Sequence, residues 1–241
     1  MVKIIRELAQ MRHRVELSLR VWQSGIQTFT TQAERGYKVA IEKNGRTEVN
    51  SERRKLILDI AARLFARGGY SATTVRDIAD EAGILSGSLY HHFSSKEAII
   101  REILEDYLDG LLANYDEIVS QKLSARETLH ALVEAAFVMI AEQPHAVALY
   151  QNEAAFLQTI PGFEFLKSQS QRIEEVWQAQ LAQGQVEGDI RDSLNPPMAY
   201  RFIRDALWSV VRWYRPGGPS SIKEVQAQFI EMLRGVLLSE R

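Results

Sequence analysis

The sequence predicts an all-α protein with a small N-terminal head of three helices, a long connecting helix and a larger helical body. From Ser51 onward apolar residues recur at spacings of three and four, and almost no stretch alternates with a period of two. Prolines and glycines separate the periodic segments. Hydrophobic residues make up 46% of the chain and charged residues 25%, so both fractions are those of an ordinary globular protein.

Three segments follow from this pattern. Residues 51–97 form the head and residues 98–241 the connecting helix and body. Residues 1–50 form an N-terminal extension that contains one amphipathic stretch, which three glycines then interrupt. The pattern leaves open a structured arm, a weakly ordered extension, or residues upstream of a start at Met11.

The head reads as three short helices. The first carries an apolar stripe from Leu56 to Phe65 and ends at two glycines, Gly68 and Gly69. Thr73 or Thr74 caps the second helix, which Gly83 ends. The third helix spans about residues 86–92.

The body reads as six longer helices. Ser94 or Ser95 caps the connecting helix, which runs to about Lys122. The helices that follow span roughly residues 124–142, 144–158, 162–187, 195–214 and 221–239, with Pro144, Pro161, Pro196 and Pro216 near their boundaries.

Composition excludes several classes of protein. The chain has no cysteine, which rules out disulfides, thiol catalysis and thiolate metal sites. No apolar run approaches the ~18–20 residues of a membrane span, and the first residues lack the apolar core of a secretory signal. We therefore expect a cytoplasmic protein that has no contact with membranes.

The charge is distributed unevenly. The formal net charge is +4 over residues 1–50, +1 over residues 51–97 and −7 over residues 98–241. An acidic body behind a neutral-to-basic front suits a protein that presents one end to nucleic acid. Because acidic helical domains are common, the asymmetry alone identifies no function.

Residues 73–93 have the pattern of a helix-turn-helix. Gly83 falls at the turn, and Ile84, Leu89 and Phe93 anchor the short third helix to the head. The opposite face is left for solvent or for a major groove, where small residues permit close approach and hydroxyl or imidazole groups reach phosphates or bases. That face carries Ser86, Gly87, Ser88, Tyr90 and His91.

Over residues 52–98 the sequence resembles the TetR family of bacterial transcription regulators. A generic helix-turn-helix needs only the glycine turn and apolar spacing, whereas this chain adds Tyr-x-His-Phe and then a lysine three residues later. The matching residues are Thr73, Thr74, Ile78, Ala79, Ala82, Gly83, Gly87, Leu89, Tyr90, His92, Phe93 and Lys96.

The resemblance implies how the head contacts double-stranded DNA. Tyr90 and Lys96 would hold phosphates, as would Thr73 or Thr74 at the start of the preceding helix. Ser86, Ser88 and His91 would lie nearest the bases, with Gly87 allowing close approach. Leu85 departs from the small residue usual in the family, which moves the cap to Ser86.

Simpler roles stay open for these residues. Tyr90 fits half-buried packing, and Ser88 fits a solvated helix surface. Adjacent residues on a helix diverge by about 100°, so His91 and His92 do not form a metal pair. We expect no metal, no cofactor and no catalytic residue.

The last two helices carry broad apolar faces. One lies on the helix near 198–214 and the other between Val225 and Leu237. The family resemblance implies a homodimer joined through these helices, which suits a palindromic operator. The alternative is that both faces close the core of the monomer.

A second face of the 198–214 helix predicts a ligand site. Trp208 and Arg212 share it with Arg201 and Asp205, and Arg204 flanks it. Guanidinium groups bind phosphate and an indole stacks on a flat ring. The preceding helix adds Arg172 and Trp177 to this predicted site. The alternative to a ligand site is that Arg201 and Asp205 form a solvated ion pair and that the tryptophans pack in the core or at an interface.

The segments 83–93 and 200–218 resemble a TetR-type subgroup, the regulators of steroid-ring catabolism in actinobacteria, which answer to a CoA thioester. The resemblance implies a repressor released from its operator by an acyl-CoA, with nucleotide phosphates near Arg172, Arg204 and Arg212. The long N-terminal extension departs from that pattern.

Two other functions compete with this one. The first is a DNA-binding dimer without an effector. The second is a helical acyl-CoA-processing enzyme, but the body's two histidines, His130 and His145, lie on separate helices with no evident acid partner in sequence.

Overall fold

The computed structural model describes residues 51–238, so the predicted N-terminal extension lies outside the described residues. The described chain is helical, with one antiparallel bridge between Ile190 and Leu238. We number the helices α1 (51–68), α2 (Val75–Glu81), α3 (Ser86–Leu89), α4 (Lys96–Ser120), α5 (Ala125–Glu142), α6 (Pro144–Leu157), α7 (Phe165–Val186), α8 (Pro196–Trp213) and α9 (Ile222–Leu237).

Side-chain caps explain where most helices begin. Thr74 and Ser124 form capping boxes with the acid three residues later, which satisfies free N–H groups at the first turn. Ser95, and not Ser94, caps α4 by accepting from the Ala98 N–H. Helix α3 is shorter than the predicted 86–92. Beyond Leu89 the His91 and His92 amides donate to carbonyls three residues back, which is the pattern of a tighter turn and not of an α-helix.

Helix α5 lies at the centre of the body, where it contacts α4, α6, α7, α8 and α9. Helix α4 joins head and body: Ile99 and Ile100 at its start and Leu104 and Leu108 further along are all fully buried. The apolar stripes predicted from the sequence therefore form one continuous core.

Within residues 51–238 no single helix is long and apolar enough to cross a membrane. Helices α5 and α6 meet the criteria of length and composition only when taken together, and they are bent by 100° at their junction.

Candidate nucleic-acid interface and ligand cavity

The turn between α2 and α3 has the geometry of a helix-turn-helix. Gly83 has a φ of 65°, which an L side chain rarely adopts, and the next amide, Ile84 N–H, donates to the Ala79 carbonyl at 3.0 Å. Leu89 is fully buried and Phe93 is 3% exposed, so both anchor α3 to the head as predicted.

The other side of α3 is open. Tyr90 is 55% exposed, and His91 and Gly87 are exposed as well. A Cβ added at Gly87 would meet nothing within 4 Å, so packing inside this chain does not require the glycine. Ser86 and Ser88 are half-buried.

Leu85 precedes α3 as its N-cap residue, 80% exposed and with no side-chain bond to the helix. The expectation that Ser86 takes over as the cap is therefore wrong. Ser86 lies inside the first turn of α3, where its backbone already has the helical conformation.

The two threonines before α2 have different roles. Thr74 is exposed, caps α2 by accepting from the Asp77 N–H, and donates its hydroxyl to the Asp77 carboxylate at 2.7 Å. Thr73 is only 6% exposed and donates its hydroxyl to the Gly69 carbonyl at 2.9 Å. Thr73 therefore faces the interior, and the prediction that its hydroxyl contacts phosphate is corrected.

Lys96 is half-buried against the loop between α1 and α2. Its Nζ donates to the carbonyls of Tyr70 at 2.9 Å and Thr73 at 3.0 Å, and it lies 4.3 Å from the centre of the Tyr70 ring. An ammonium group has three N–H donors, so one is left for a phosphate. The main contacts of Lys96 position the loop, a role that the sequence did not reveal.

A cavity of about 100 Å³ lies in the body among α4, α5, α6, α7 and α8. Its wall is largely apolar, and two tryptophans, Trp177 and Trp208, form part of it. The polar groups of the wall come from Tyr107, Tyr115, Tyr150, Tyr200, Ser170, Glu174 and Arg204.

The cavity's tyrosines are neutral hydroxyls at physiological pH, as any phenol of ordinary pKa is, and burial raises the pKa of Tyr107, Tyr115 and Tyr200 further above that value. A neutral phenol both donates and accepts hydrogen bonds. The cavity therefore offers hydroxyls to oxygen atoms of a largely apolar ligand.

Among the described residues that line the cavity, only Arg204 has a cationic side chain. Its guanidinium lies 4.9 Å from the centre of the Trp208 ring and 5.6 Å from that of Tyr200, and it pairs with Asp205 at 2.9 Å. Its side chain is 31% exposed, so it reaches both the cavity and solvent.

The structure brings together three of the five predicted ligand residues, namely Trp177, Arg204 and Trp208. Arg172 is not among them: it is exposed and pairs with Asp116. Arg212 is exposed one helical turn beyond Trp208 and lies outside the cavity wall.

The tyrosines are the residues that the sequence did not reveal. They come from three helices, and within each helix they occupy positions of an apolar stripe, which is indistinguishable from core packing before the helices are assembled.

Comparison with known families identifies the chain. The model described as "Bacterial regulatory proteins, tetR family" matches residues 57–103, and that described as "Tetracyclin repressor-like, C-terminal domain" matches residues 122–237. A Rhodococcus jostii protein named HTH-type transcriptional repressor KstR2 is 46% identical over 80% of this chain and 95% of its own length. The chain belongs to the TetR family.

A second relative and a solved structure of the protein of the same name and organism agree with this. The KstR2 repressor of Mycobacterium tuberculosis is 45% identical over 80% of this chain and 96% of its own length. The solved structure titled ketosteroid transcriptional regulator KstR2 of that organism superposes with a TM-score of 0.76 at 44% identity, covering 78% of this chain and 96% of the other. The resemblance to the steroid-catabolism subgroup is thus confirmed.

The apolar faces of α8 and α9 divide between the core of this TetR-type chain and its surface. Ile203, Leu207 and Val210 are buried within the monomer, as the alternative interpretation expected. Phe202 on α8 is 71% exposed and Met232 on α9 is 56% exposed. Both helices therefore keep exposed apolar side chains, which the predicted interaction surface would use.

The two histidines of the body lie on separate helices as predicted, His130 on α5 and His145 on α6. His130 has an acid partner after all, since its Nδ1 lies 3.7 Å from Glu134 one turn away on the same helix. Residues 51–238 contain no group of three or more histidines, aspartates or glutamates arranged to hold a metal ion.

Proposed function

We propose that this TetR-family chain is a dimeric transcriptional repressor in the cytoplasm that leaves its operator when the body's cavity binds an effector. The observation that carries the proposal is the combination, in one chain, of an open α3 face and a separate, largely apolar cavity in the body. Relatives that match 95% or more of their own length are named repressors, which supports the same conclusion.

On the DNA side, α3 enters the major groove with Ser86, Gly87, Ser88 and His91 toward the bases. Tyr90 and the cap of α2 at Thr74 lie next to the phosphates. A dimer built on the exposed surface of α8 and α9 presents two such helices, which favours a palindromic operator with half-sites about one helical turn apart.

On the effector side, we propose an acyl-CoA thioester of steroid or related lipid catabolism, the class that the subgroup resemblance implies, with the apolar, tyrosine-lined cavity as the place where its acyl part binds. A cavity of about 100 Å³ admits one end of the acyl part, next to the tyrosine hydroxyls and the rings of Trp177 and Trp208. Because the cavity of about 100 Å³ is far smaller than a whole CoA thioester, the nucleotide lies outside it. Arg204 at the edge and Arg212 one turn further along α8 supply cations along that path.

The experiment is operator binding measured by fluorescence anisotropy, with and without a panel of CoA thioesters that includes steroid-derived members. We expect at least one thioester to weaken operator binding by about 5- to 150-fold, the range of typical allosteric coupling. If the protein binds its operator and no thioester changes the affinity, the effector-independent dimer is the correct function. If the protein instead converts a thioester to product, it is an acyl-CoA-processing enzyme.

A further inference from the structure

Helix α6 contacts the cavity and the head within a single turn. Tyr150 forms part of the cavity wall, and its ring meets that of Trp208 edge-on at 5.9 Å. Gln151 donates to the Trp208 carbonyl at 3.3 Å. Three residues after Tyr150, Glu153 accepts a hydrogen bond from the Tyr70 N–H of the head at 3.1 Å.

The loop that Glu153 contacts, between α1 and α2, is also bonded to the start of α4. The Tyr70 hydroxyl donates to Glu97 at 2.8 Å, and the Tyr70 and Thr73 carbonyls both accept from Lys96. Gly69 has a φ of 84°, so the backbone leaves the helical conformation there. The position of this loop, which leads directly into α2, therefore depends on α4 and α6.

We propose that Glu153 is the positioning residue through which occupancy of the cavity changes the head. The inference rests on the proposed function and names the regulatory connection within it. A ligand that displaces Tyr150, or that displaces Trp208 and through it Tyr150 and Gln151, shifts α6 as a rigid body. Glu153 lies about 4.5 Å beyond Tyr150 along the axis of α6, at 1.5 Å per residue. The displacement reaches the Tyr70 amide directly, and from there the start of α2.

Glu153 also suits this role because its contact is with the backbone. A carboxylate that accepts from an N–H forms a charge-assisted bond, which is stronger than a neutral one. The bond joins α6 to the segment before the helix-turn-helix without using any residue of α3. Its loss should therefore change coupling while leaving the DNA-contacting face intact.

The test uses a permanent occupant of the cavity, so it does not depend on the identity of the effector. Ala136 lies in the cavity wall on α5, and Ala136→Phe places a ring in the cavity. Operator affinity is measured for four full-length proteins: the wild type, Ala136→Phe, Glu153→Ala and the double variant. Asn152→Ala, an exposed neighbour on α6, is the matched control, and Glu153→Gln tests whether a neutral acceptor suffices.

With Glu153 present, we expect Ala136→Phe to weaken operator binding by at least about fivefold, the lower end of typical allosteric coupling. With Glu153→Ala the same substitution should change affinity by less than about twofold. Asn152→Ala should behave as wild type, and Glu153→Gln should retain only part of the effect, because its neutral amide oxygen accepts a weaker bond. An equal effect of Ala136→Phe in both backgrounds, or none in either, overturns the proposal.

A second readout covers the case in which Glu153→Ala does not fold. Hydrogen exchange at the Tyr70 amide is measured in the wild-type protein and in Ala136→Phe. We expect a change in protection of at least about tenfold at this amide, because its acceptor has moved. Unchanged protection overturns the proposal. A silent CoA-thioester panel together with a positive Ala136→Phe result would refute only the effector class.

Discussion

Arg204 offers the sharpest test of the effector site. Its guanidinium lies 4.9 Å from the Trp208 ring and 5.6 Å from the Tyr200 ring, which holds it at the edge of the cavity. Arg204→Ala removes the only cation that residues 51–238 contribute to the cavity wall and leaves the apolar lining in place. Arg201→Ala is the matched control, since Arg201 is an exposed arginine on the same helix outside the wall.

The expected size of the effect follows from the geometry. A hydrogen bond to a charged group contributes about 1.5–3 kcal/mol, which corresponds to roughly 10- to 150-fold in affinity. The side chain is 31% exposed, so solvent screening places the loss at the lower end, near tenfold. Arg204→Lys should recover part of it, because lysine keeps the charge and loses the planar stacking on Trp208.

The measurement is calorimetric titration of a CoA thioester, paired with operator anisotropy in its absence. We expect Arg204→Ala to weaken thioester binding and to leave the operator dissociation constant unchanged, because Arg204 lies in the body. Equal losses for Arg204→Ala and Arg201→Ala would refute the assignment. A matching loss of operator affinity without any effector would show that the variant damages the fold.

Three further predictions concern the head and the surface. Leu89→Ala should lower the free energy of unfolding by about 2–5 kcal/mol in denaturant titrations because Leu89 is fully buried, whereas Leu85→Ala, at an 80% exposed position, should change it by under about 0.5 kcal/mol. Phe202→Glu should convert the dimer to monomer in sedimentation velocity, and a persistent dimer would exclude this surface. The hydrogen bond from the Tyr70 hydroxyl holds the pKa of Glu97 below its usual value of 4.5, so the stability that this bond contributes is present above about pH 4.5 and is lost as the pH falls through the lowered pKa. In unfolding titrations, the difference in stability between the wild type and Tyr70→Phe should therefore shrink as the pH falls. A difference that does not depend on pH would contradict this prediction.

The helices of the body were predictable because their signals are local. Capping residues, prolines and apolar periodicity act within one or two turns, and they place α4 to α9 to within a few residues. The end of α3 was harder to predict. His91 and His92 continue the helical pattern in sequence, but their amides bond three residues back instead of four.

The functional side chains were predictable only where one helix sets their position. Arg204 and Trp208 lie one turn apart on α8, so their shared face was visible in the sequence. The direction of the Thr73 hydroxyl depends on the Gly69 carbonyl, and the contacts of Lys96 depend on a loop 23 to 26 residues earlier. Such contacts form only when the chain folds.

The loop between α1 and α2 restricts where the chain tolerates changes in length. The amide, carbonyl and hydroxyl of Tyr70 bond to three residues on two other helices. One residue inserted between α1 and Tyr70 would displace all three bonds at once, so the chain tolerates no change of length at that point. The turn at residues 216–220 is exposed throughout and has no such restriction, which makes it a suitable place for a tag or a fluorescent label.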